Sequence, residues 1–216
     1  METNLPRTRN PRNAKNLKLT VTGIGGSPRI GGNTDVLLQS MLAAVHNEQI
    51  PNREIQLRDY HISPCIGCEK CRKDQICTGL QDDMQVLYPL IIESAGLILI
   101  SPTHHYNITA WMKAFIDRMY CFYTFEDTQP RKWASRLAGQ GRKAVVGAVC
   151  EQENPDDMGF TIEAMKRPLQ SLGYEIIGEL PVFGIFDKGK VRRNQAVLSN
   201  SEQLGAKLAQ ALKFLN

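Results

Sequence analysis

The sequence predicts an α/β fold in which five parallel strands form a doubly wound sheet with helices on both faces. Short β-rich runs alternate with segments whose apolar residues recur at helical spacing, an alternation that is typical of parallel sheets. The central run Gly96–Ile100 is continuously apolar, as expected of a strand that is covered on both faces. The 216 residues, 42% of them apolar, suffice for one domain with one sizeable core.

The strands and helices alternate along the chain as such a sheet requires. The predicted strands are Lys18–Gly23, Glu54–Tyr60, Gly96–Ile100, Ala144–Val149 and Glu175–Phe183. The predicted helices have apolar residues at helical spacing within residues 37–45, 83–94, 109–119, 162–172 and 197–215. Pro168 is expected to kink or split the fourth helix. Residues 121–142 lack a regular period and are expected to form a long excursion before the fourth strand.

The composition argues against a membrane protein and against a nucleic-acid-binding protein. The best apolar candidate for a membrane span, Leu87–Ile100, is short and contains a proline and a glutamate. No apolar secretory leader is expected from the residues before Leu17. Four basic side chains and one acidic side chain fall within residues 1–17, so the rest of the chain is nearly neutral despite the net charge of +4. We therefore expect a cytoplasmic domain over residues 18–216, preceded by a basic flexible arm over residues 1–17.

The glycine-rich loop after the first strand is a candidate phosphate site. Backbone N–H groups and a helix dipole converge on an anion where a strand leads into a helix. A Walker A loop would have lysine at position 33, and a dinucleotide fingerprint would have glycine at position 28, so neither loop type fits. The candidate phosphate ligands of this loop are Ser27, Arg29, Gly32, Asn33 and Thr34. The alternative is a glycine-rich turn in which Thr34 serves only as the helix N-cap.

The loop after the third predicted strand is the second part of the candidate site. It should lie beside the first loop, because ligands of doubly wound sheets bind at the carboxyl ends of the strands near the switch in strand order. Its candidate contacts are Pro102, Thr103, His104, Tyr106 and Asn107. For His104 and His105, an ordinary loop position without ligand contact is an equally open interpretation.

The two loops resemble those of the NADPH-dependent FMN reductases, a family with the flavodoxin-like fold. The resemblance rests on Gly26-Ser27-Pro28-Arg29 followed by Gly32-Asn33-Thr34, and it extends over about residues 18–120. It implies that Ser27, Arg29, Asn33 and Thr34 bind the phosphate of FMN. The loop after the third strand would hold the isoalloxazine ring, although Thr103, His104 and His105 depart from the Ser-Pro-x-Tyr form of the family. Members commonly form homodimers or homotetramers around the flavin edge.

The helix after the second loop also resembles the family, in its Met-Lys-x-Phe-x-Asp-Arg stretch. Here that stretch supplies Lys113, Asp117 and Arg118. Adjacent residues on a helix face different directions. We interpret Asp117 and Arg118 as a structural or subunit-contact pair rather than as catalytic groups.

Four cysteines within thirteen positions form a candidate metal site. Cys65, Cys68 and Cys71 are three residues apart, and Cys77 follows after five intervening residues. Such dense thiolates would repel one another and oxidise unless they held a soft metal centre. Consecutive steps of three resemble the ligation of a cubane cluster, while zinc, free redox thiols or remnant cysteines remain alternatives. Cys121 and Cys150 are expected to be packed small side chains.

The spacing of the four cysteines resembles that of the iron–sulfur flavoproteins, a branch of the same superfamily. The resemblance implies one [4Fe–4S] cluster close to FMN. The function that follows is an FMN-dependent, NAD(P)H-linked oxidoreductase that passes electrons to a flavin, quinone or protein acceptor, without a catalytic side chain because the cofactor carries the reaction. A non-enzymatic, flavodoxin-like electron carrier and a zinc-stiffened interaction domain are the alternatives.

Overall fold

The computed structural model describes residues 17–214 and contains a five-stranded parallel sheet with helices on both faces. The strands of this sheet are β1 (Lys18–Gly25), β2 (Asn52–Gln56), β3 (Ser94–Pro102), β6 (Lys143–Val149) and β7 (Glu175–Val182). Their order is β2-β1-β3-β6-β7, and every neighbouring pair is parallel. This is the strand order of flavodoxin-like folds, and its switch point lies between β1 and β3. The predicted fold class is confirmed.

Residues 17–214 contain six α-helices, and all but the short second helix cover the two faces of the sheet. They are α1 (Asn33–Asn47), α2 (Lys70–Asp74), α3 (Met84–Glu93), α4 (Ala110–Arg118), α5 (Thr161–Ser171) and α6 (Gln195–Lys213). Helices α1 and α6 pack on one face, and α3, α4 and α5 pack on the other. Within residues 17–214, no helix is both long enough and apolar enough to cross a bilayer. The predicted arm, apart from Leu17, lies outside the described residues.

The continuous apolar run of β3 serves both cores. Leu97 and Leu99 pack with α3, α4 and α5, while Ile98 and Ile100 pack with α1 and α6. Because successive side chains of a strand point to opposite faces, a central strand between two helical layers needs apolar residues at every position.

Two elements differ from the sequence-based expectations. Strand β2 ends at Gln56 and not at Tyr60, because the chain turns there into a short 3₁₀ segment, Leu57–Asp59, whose leucine is buried. Helix α5 is not split at Pro168. Ile162, Met165 and Leu169 lie on both sides of this proline, and all pack into the same core, which supports one uninterrupted helix.

The predicted excursion over residues 121–142 contains a hairpin that the sequence pattern did not reveal. Strands β4 (Tyr123–Phe125) and β5 (Trp133–Ser135) are antiparallel and separate from the main sheet. The ring of Tyr123 packs edge-on against Trp133, with centroids 5.1 Å apart. Cross-strand aromatic pairs of this kind stabilise short hairpins that have few backbone hydrogen bonds.

Candidate functional site

A cleft opens at the carboxyl ends of β1, β3, β6 and β7. Eight of the ten predicted flavin-site residues line it: Ser27, Arg29, Gly32, Asn33, Thr34, Pro102, Thr103 and His104. The remaining two, Tyr106 and Asn107, are not among its lining residues. They belong to a tight turn in which the N–H of His104 donates to the carbonyl of Asn107 at 2.8 Å, and the reverse bond measures 3.1 Å.

Two further loops complete the cleft, and sequence reasoning missed both. The end of β6 and the loop after it contribute Val149, Glu151 and Gln152, and the loop after β7 contributes Ile185, Phe186 and Lys188. No motif marks these residues. Their place in the predicted fold could have indicated them, because the ends of β6 and β7 lie at the same edge of the sheet as the two recognised loops.

The phosphate loop, residues 26–34, leads into α1 without a side-chain cap. Gly32 is the N-cap residue, and Thr34 lies inside the helix, so Thr34 does not have the capping role considered as an alternative. Its Oγ1 is buried and has no hydrogen-bond partner within the described residues. Buried hydroxyls are normally hydrogen-bonded, and the first N–H groups of a helix also lack intrahelical partners. The loop therefore offers an unsatisfied hydroxyl and a helix N-terminus to an anion, which fits a terminal phosphate.

Asn33 differs from the other predicted phosphate ligands in that its side chain is hydrogen-bonded to another loop of the cleft. Its Nδ2 donates to the carbonyl of Asp187 at 3.0 Å, and its Oδ1 accepts the N–H of Val191 at 3.1 Å. These bonds join the phosphate loop to the segment after β7. The side chain of Asn33 thus shapes the cleft by holding two of its loops together.

Arg29 is held against the same segment after β7. Its guanidinium donates to the carbonyl of Phe186 at 3.1 Å and lies 4.5 Å from the centroid of the Phe186 ring. The backbone N–H of Arg29 donates to Ser27 Oγ at 3.1 Å. The cation is therefore pre-oriented against Phe186 at the rim of the cleft.

Thr109 joins the loop after β3 to the phosphate loop. Its Oγ1 donates to the carbonyl of Gly26 at 2.7 Å and accepts the N–H of Met112 as the N-cap of α4. Its own N–H donates to Ser101 Oγ at 3.2 Å. A single buried threonine thus fixes the relative position of the two loops that the sequence identified.

Gly159 packs closely against the turn of residues 104–107, which lies outside the cleft. His105 and Tyr106 both have left-handed backbone conformations, with φ of 48° and 62°. The carbonyl of Tyr106 accepts the N–H of Phe160 at 2.7 Å. A Cβ on Gly159 would overlap that carbonyl oxygen, so only glycine permits this approach.

The four clustered cysteines line one cavity, which is separate from the cleft. Cys65, Cys68, Cys71 and Cys77 all contribute to its wall, and it shares no lining residue with the cleft. Burial raises the pKa of the Cys71 thiol, and the three neighbouring thiols raise it further. Within residues 17–214, no three histidine, cysteine or acidic side chains are placed to hold a single metal ion. The cavity nevertheless has four soft sulfur donors in its wall.

A buried ion pair closes the base of this cysteine loop. Arg118 donates to both carboxylate oxygens of Asp82, at 2.5 and 3.1 Å, and to the carbonyl of Ser63 at 3.0 Å. Burial alone would raise the pKa of Asp82, but the hydrogen bonds from Arg118 and from the backbone outweigh it and lower the pKa. Arg118 thus has a structural role, but Asp117 and Arg118 do not act as the pair that was predicted, because Arg118 binds Asp82 and Asp117 pairs with Lys113.

The two remaining cysteines are buried, as expected of packed small side chains. Cys121 and Cys150 are each 1% exposed. Burial raises the pKa of Cys121 to about 11. Neither residue lines the cleft or the cysteine cavity.

Solved structures with related folds agree with this architecture. An NAD(P)H:quinone oxidoreductase from Methanothermobacter marburgensis superposes with a TM-score of 0.68 at 17% identity, over 88% of this chain and 98% of that one. An archaeal flavodoxin gives a TM-score of 0.51 at 9% identity, over 90% and 99% of the two chains. These similarities concern the fold alone.

Sequence comparisons identify the family. Residues 19–152 match the family model of the NADPH-dependent FMN reductases. An iron–sulfur flavoprotein of Archaeoglobus fulgidus is 31% identical over 90% of this chain and 81% of its own length. One from Methanocaldococcus jannaschii is 37% identical over 46% of this chain, and the match spans about half (51%) of that protein. The chain therefore belongs to the NADPH-dependent FMN reductase family, in its iron–sulfur flavoprotein branch, and this membership supports FMN-dependent oxidoreduction as its chemistry.

Proposed function

We propose that this chain binds FMN in the cleft, accepts electrons from NAD(P)H and passes them to a flavin, quinone or protein acceptor, with a [4Fe–4S] cluster in the cysteine cavity. The observation that carries the proposal is the Thr34 hydroxyl, which is buried without a partner among the described residues at the N-terminus of α1. It lies in the wall of a cleft that also contains Ser27 and Arg29. A phosphate monoester would satisfy all three groups.

The residues of the cleft would have different roles in binding FMN. Ser27, Arg29 and Thr34 would bind the phosphate, while Asn33 and Thr109 keep the surrounding loops in place. Pro102, Thr103 and His104 would contact the ring, and Tyr106 and Asn107 would shape the loop from outside the cleft. When bound, FMN supplies the capacity to exchange electrons in pairs or singly, and the protein supplies position and electrostatic field.

We favour a cluster over zinc in the cysteine cavity. Cys65, Cys68, Cys71 and Cys77 all line one space, and the first three follow one another at steps of three residues. Such steps resemble the ligation of a cubane cluster, which takes one thiolate at each of four irons. A cluster held there would exchange single electrons.

We further propose a cytoplasmic homodimer or homotetramer without nucleic-acid or membrane partners. The cleft and the cysteine cavity share no lining residue within the described part of the chain. An assembly in which one subunit places its cysteine cavity near the cleft of another would bring the two centres together.

We also propose that the FMN-binding domain begins at residue 18, because residues 1–17 are basic in composition.

Anaerobic purification tests the proposed cofactors directly. The expected result is a coloured protein that releases FMN, identified by chromatography against FAD and riboflavin standards, together with iron and acid-labile sulfide. Stoichiometric zinc without iron or sulfide would contradict the cluster but leave the FMN proposal standing. A colourless protein that does not bind added FMN would contradict both.

Steady-state turnover then separates an enzyme from an electron carrier. We expect NAD(P)H to reduce the bound flavin rapidly and repeatedly when a quinone or free flavin is present as acceptor. If reduction requires a separate reductase, the protein is a carrier.

A further inference from the structure

Asp35 connects the first turn of α1 to the phosphate loop. Its side chain is buried, and Oδ2 accepts the backbone N–H of Gly31 at 2.8 Å. Gly31 has a left-handed conformation, with φ of 68°, and stands directly before the N-cap residue Gly32. The carboxylate therefore fixes the backbone at the left-handed residue of the loop.

Arg58 binds this carboxylate from the turn after β2. Its guanidinium donates to Oδ1 of Asp35 at 3.0 Å and to Oδ2 at 2.9 Å, and it also donates to the carbonyl of Ser27 at 3.2 Å. The Arg58 side chain is 11% exposed and that of Asp35 is 3% exposed. One arginine thus holds the phosphate loop at two points, directly at Ser27 and through Asp35 at Gly31.

The charge of Asp35 requires this partner. A carboxylate in the first turn of α1 suits the helix dipole, but it also lies next to the place where a phosphate dianion would bind. Unpaired, it would repel that phosphate. The bidentate contact with Arg58 cancels the charge while leaving the carboxylate oxygens available to Gly31.

We propose that Arg58 and Asp35 are positioning residues for the flavin phosphate. Neither lines the cleft, so both act through the loop backbone and through the local charge. The proposal rests on the proposed function, in which the phosphate of FMN binds to this loop. It implies that the pair favours FMN over riboflavin, because only the phosphorylated flavin uses the part of the loop that the pair holds.

Flavin titrations of the apoprotein test this implication. Arg58→Met should weaken FMN binding by about tenfold or more, since it leaves a buried carboxylate beside the phosphate and releases the Ser27 carbonyl. Riboflavin affinity should change by less than about twofold, because none of the hydrogen bonds of Arg58 goes to the residues proposed to contact the ring. Arg58→Met combined with Asp35→Asn should bind FMN better than Arg58→Met alone, because the unpaired charge is gone.

Matched variants separate positioning from general destabilisation. Arg167→Met removes an arginine of α5 whose side chain is 77% exposed, and it should leave both affinities unchanged. If Arg58→Met does not fold, Arg58→Lys replaces it in the test, with the same selective loss of FMN binding expected at smaller size. Equal weakening of FMN and riboflavin in these variants would overturn the inference. A wild-type protein that does not prefer FMN to riboflavin would instead overturn the proposed function and remove the basis of this inference.

Discussion

Arg118 and Asp82 form an ion pair in which each side chain is only 1% exposed, and this pair ties the end of α4 to both ends of the cysteine loop. Asp82 also accepts the backbone N–H groups of Ser63 and Met84, at 2.9 and 3.1 Å. The clustered cysteines lie between Ser63 and Asp82 in sequence. The geometry of their loop therefore depends on a residue of α4 that lies far along the chain.

Replacing Asp82 with alanine should destabilise the protein strongly. It leaves the Arg118 guanidinium buried without its charged partner, which costs about 3–5 kcal/mol in comparable buried pairs. Urea unfolding at neutral pH measures the loss. Asp117→Ala, which removes an exposed carboxylate one residue before Arg118, should cost less than about 1 kcal/mol.

The contribution of Asp82 should disappear in acid. Its folded-state pKa is lowered relative to the unfolded value, so the stabilisation is present above the unfolded pKa and is lost as the pH falls through the folded pKa. The free energies of unfolding of the wild type and Asp82→Ala should therefore begin to converge as the pH falls below about 4, the ordinary aspartate pKa. A difference that persists unchanged down to about pH 2, well below the ordinary aspartate pKa, would contradict the assigned ionic role.

Replacing Thr34 with valine should have opposite effects on stability and on binding. Without ligand, the buried Oγ1 has no partner among the described residues, so an isosteric methyl group should leave the apoprotein equally stable or more stable. With FMN, the variant should lose about 0.5–1.5 kcal/mol of binding free energy. Thermal unfolding of the apoprotein and fluorescence titration with FMN measure the two effects. Lower apoprotein stability would indicate that the hydroxyl has a structural partner.

Replacing Arg29 with alanine should weaken FMN binding by about 1.5–3 kcal/mol, the value of a charge-assisted hydrogen bond. The arginine also contacts Phe186, so part of any loss would reflect a displaced loop after β7. Phe186→Leu removes the ring contact while keeping the cation, and it should lose less FMN affinity than Arg29→Ala. Unchanged affinity in both Arg29→Ala and Thr34→Val would contradict the phosphate-loop assignment.

Replacing any one of Cys65, Cys68, Cys71 or Cys77 with alanine should remove the cluster and leave the flavin. The broad visible absorption, iron and sulfide should be lost, while the flavin bands remain because the cleft is built from other residues. Cys150→Ala removes a buried thiol outside the cavity and should retain full iron content. Equal iron loss in Cys150→Ala would show that the effect is not specific to the cavity.

Replacing Gly159 with alanine should disturb the turn at Tyr106. The added Cβ would overlap the Tyr106 carbonyl oxygen and would lie 2.8 Å from its Cα, and φ at this glycine is 55°. Gly139 is the matched control, because its φ is also positive (74°) but a Cβ added there would have no neighbour within 4 Å among the described residues. Gly139→Ala should cost about 1 kcal/mol for the backbone conformation alone, and Gly159→Ala should cost clearly more in urea unfolding. Equal losses of unfolding free energy in the two variants would mean that the turn at Tyr106 moves away from the added Cβ without an energetic cost.

Features that are encoded locally could be predicted from the chain alone. The all-apolar run of β3 predicted a central strand, because a strand between two helical layers has no polar face. The glycines and polar residues of the phosphate loop predicted an anion site, because a strand-to-helix turn exposes backbone N–H groups in any such fold. The even spacing of Cys65, Cys68 and Cys71 likewise indicated a shared site, since residues so close in sequence cannot lie far apart in space.

Which distant groups meet depends instead on the three-dimensional arrangement of the strands. Arg58 reaches Asp35 because β2 lies beside β1, and Asn33 reaches Asp187 because the segment after β7 folds back over the start of α1. Neither pairing leaves a periodic signal, since each contact depends on strand order and on one side chain rather than on a repeating pattern. The same reason explains why a kink or split at Pro168 was expected in α5: the preference of proline for a helix break is local, but the packing of Met165 and Leu169 against the core is not.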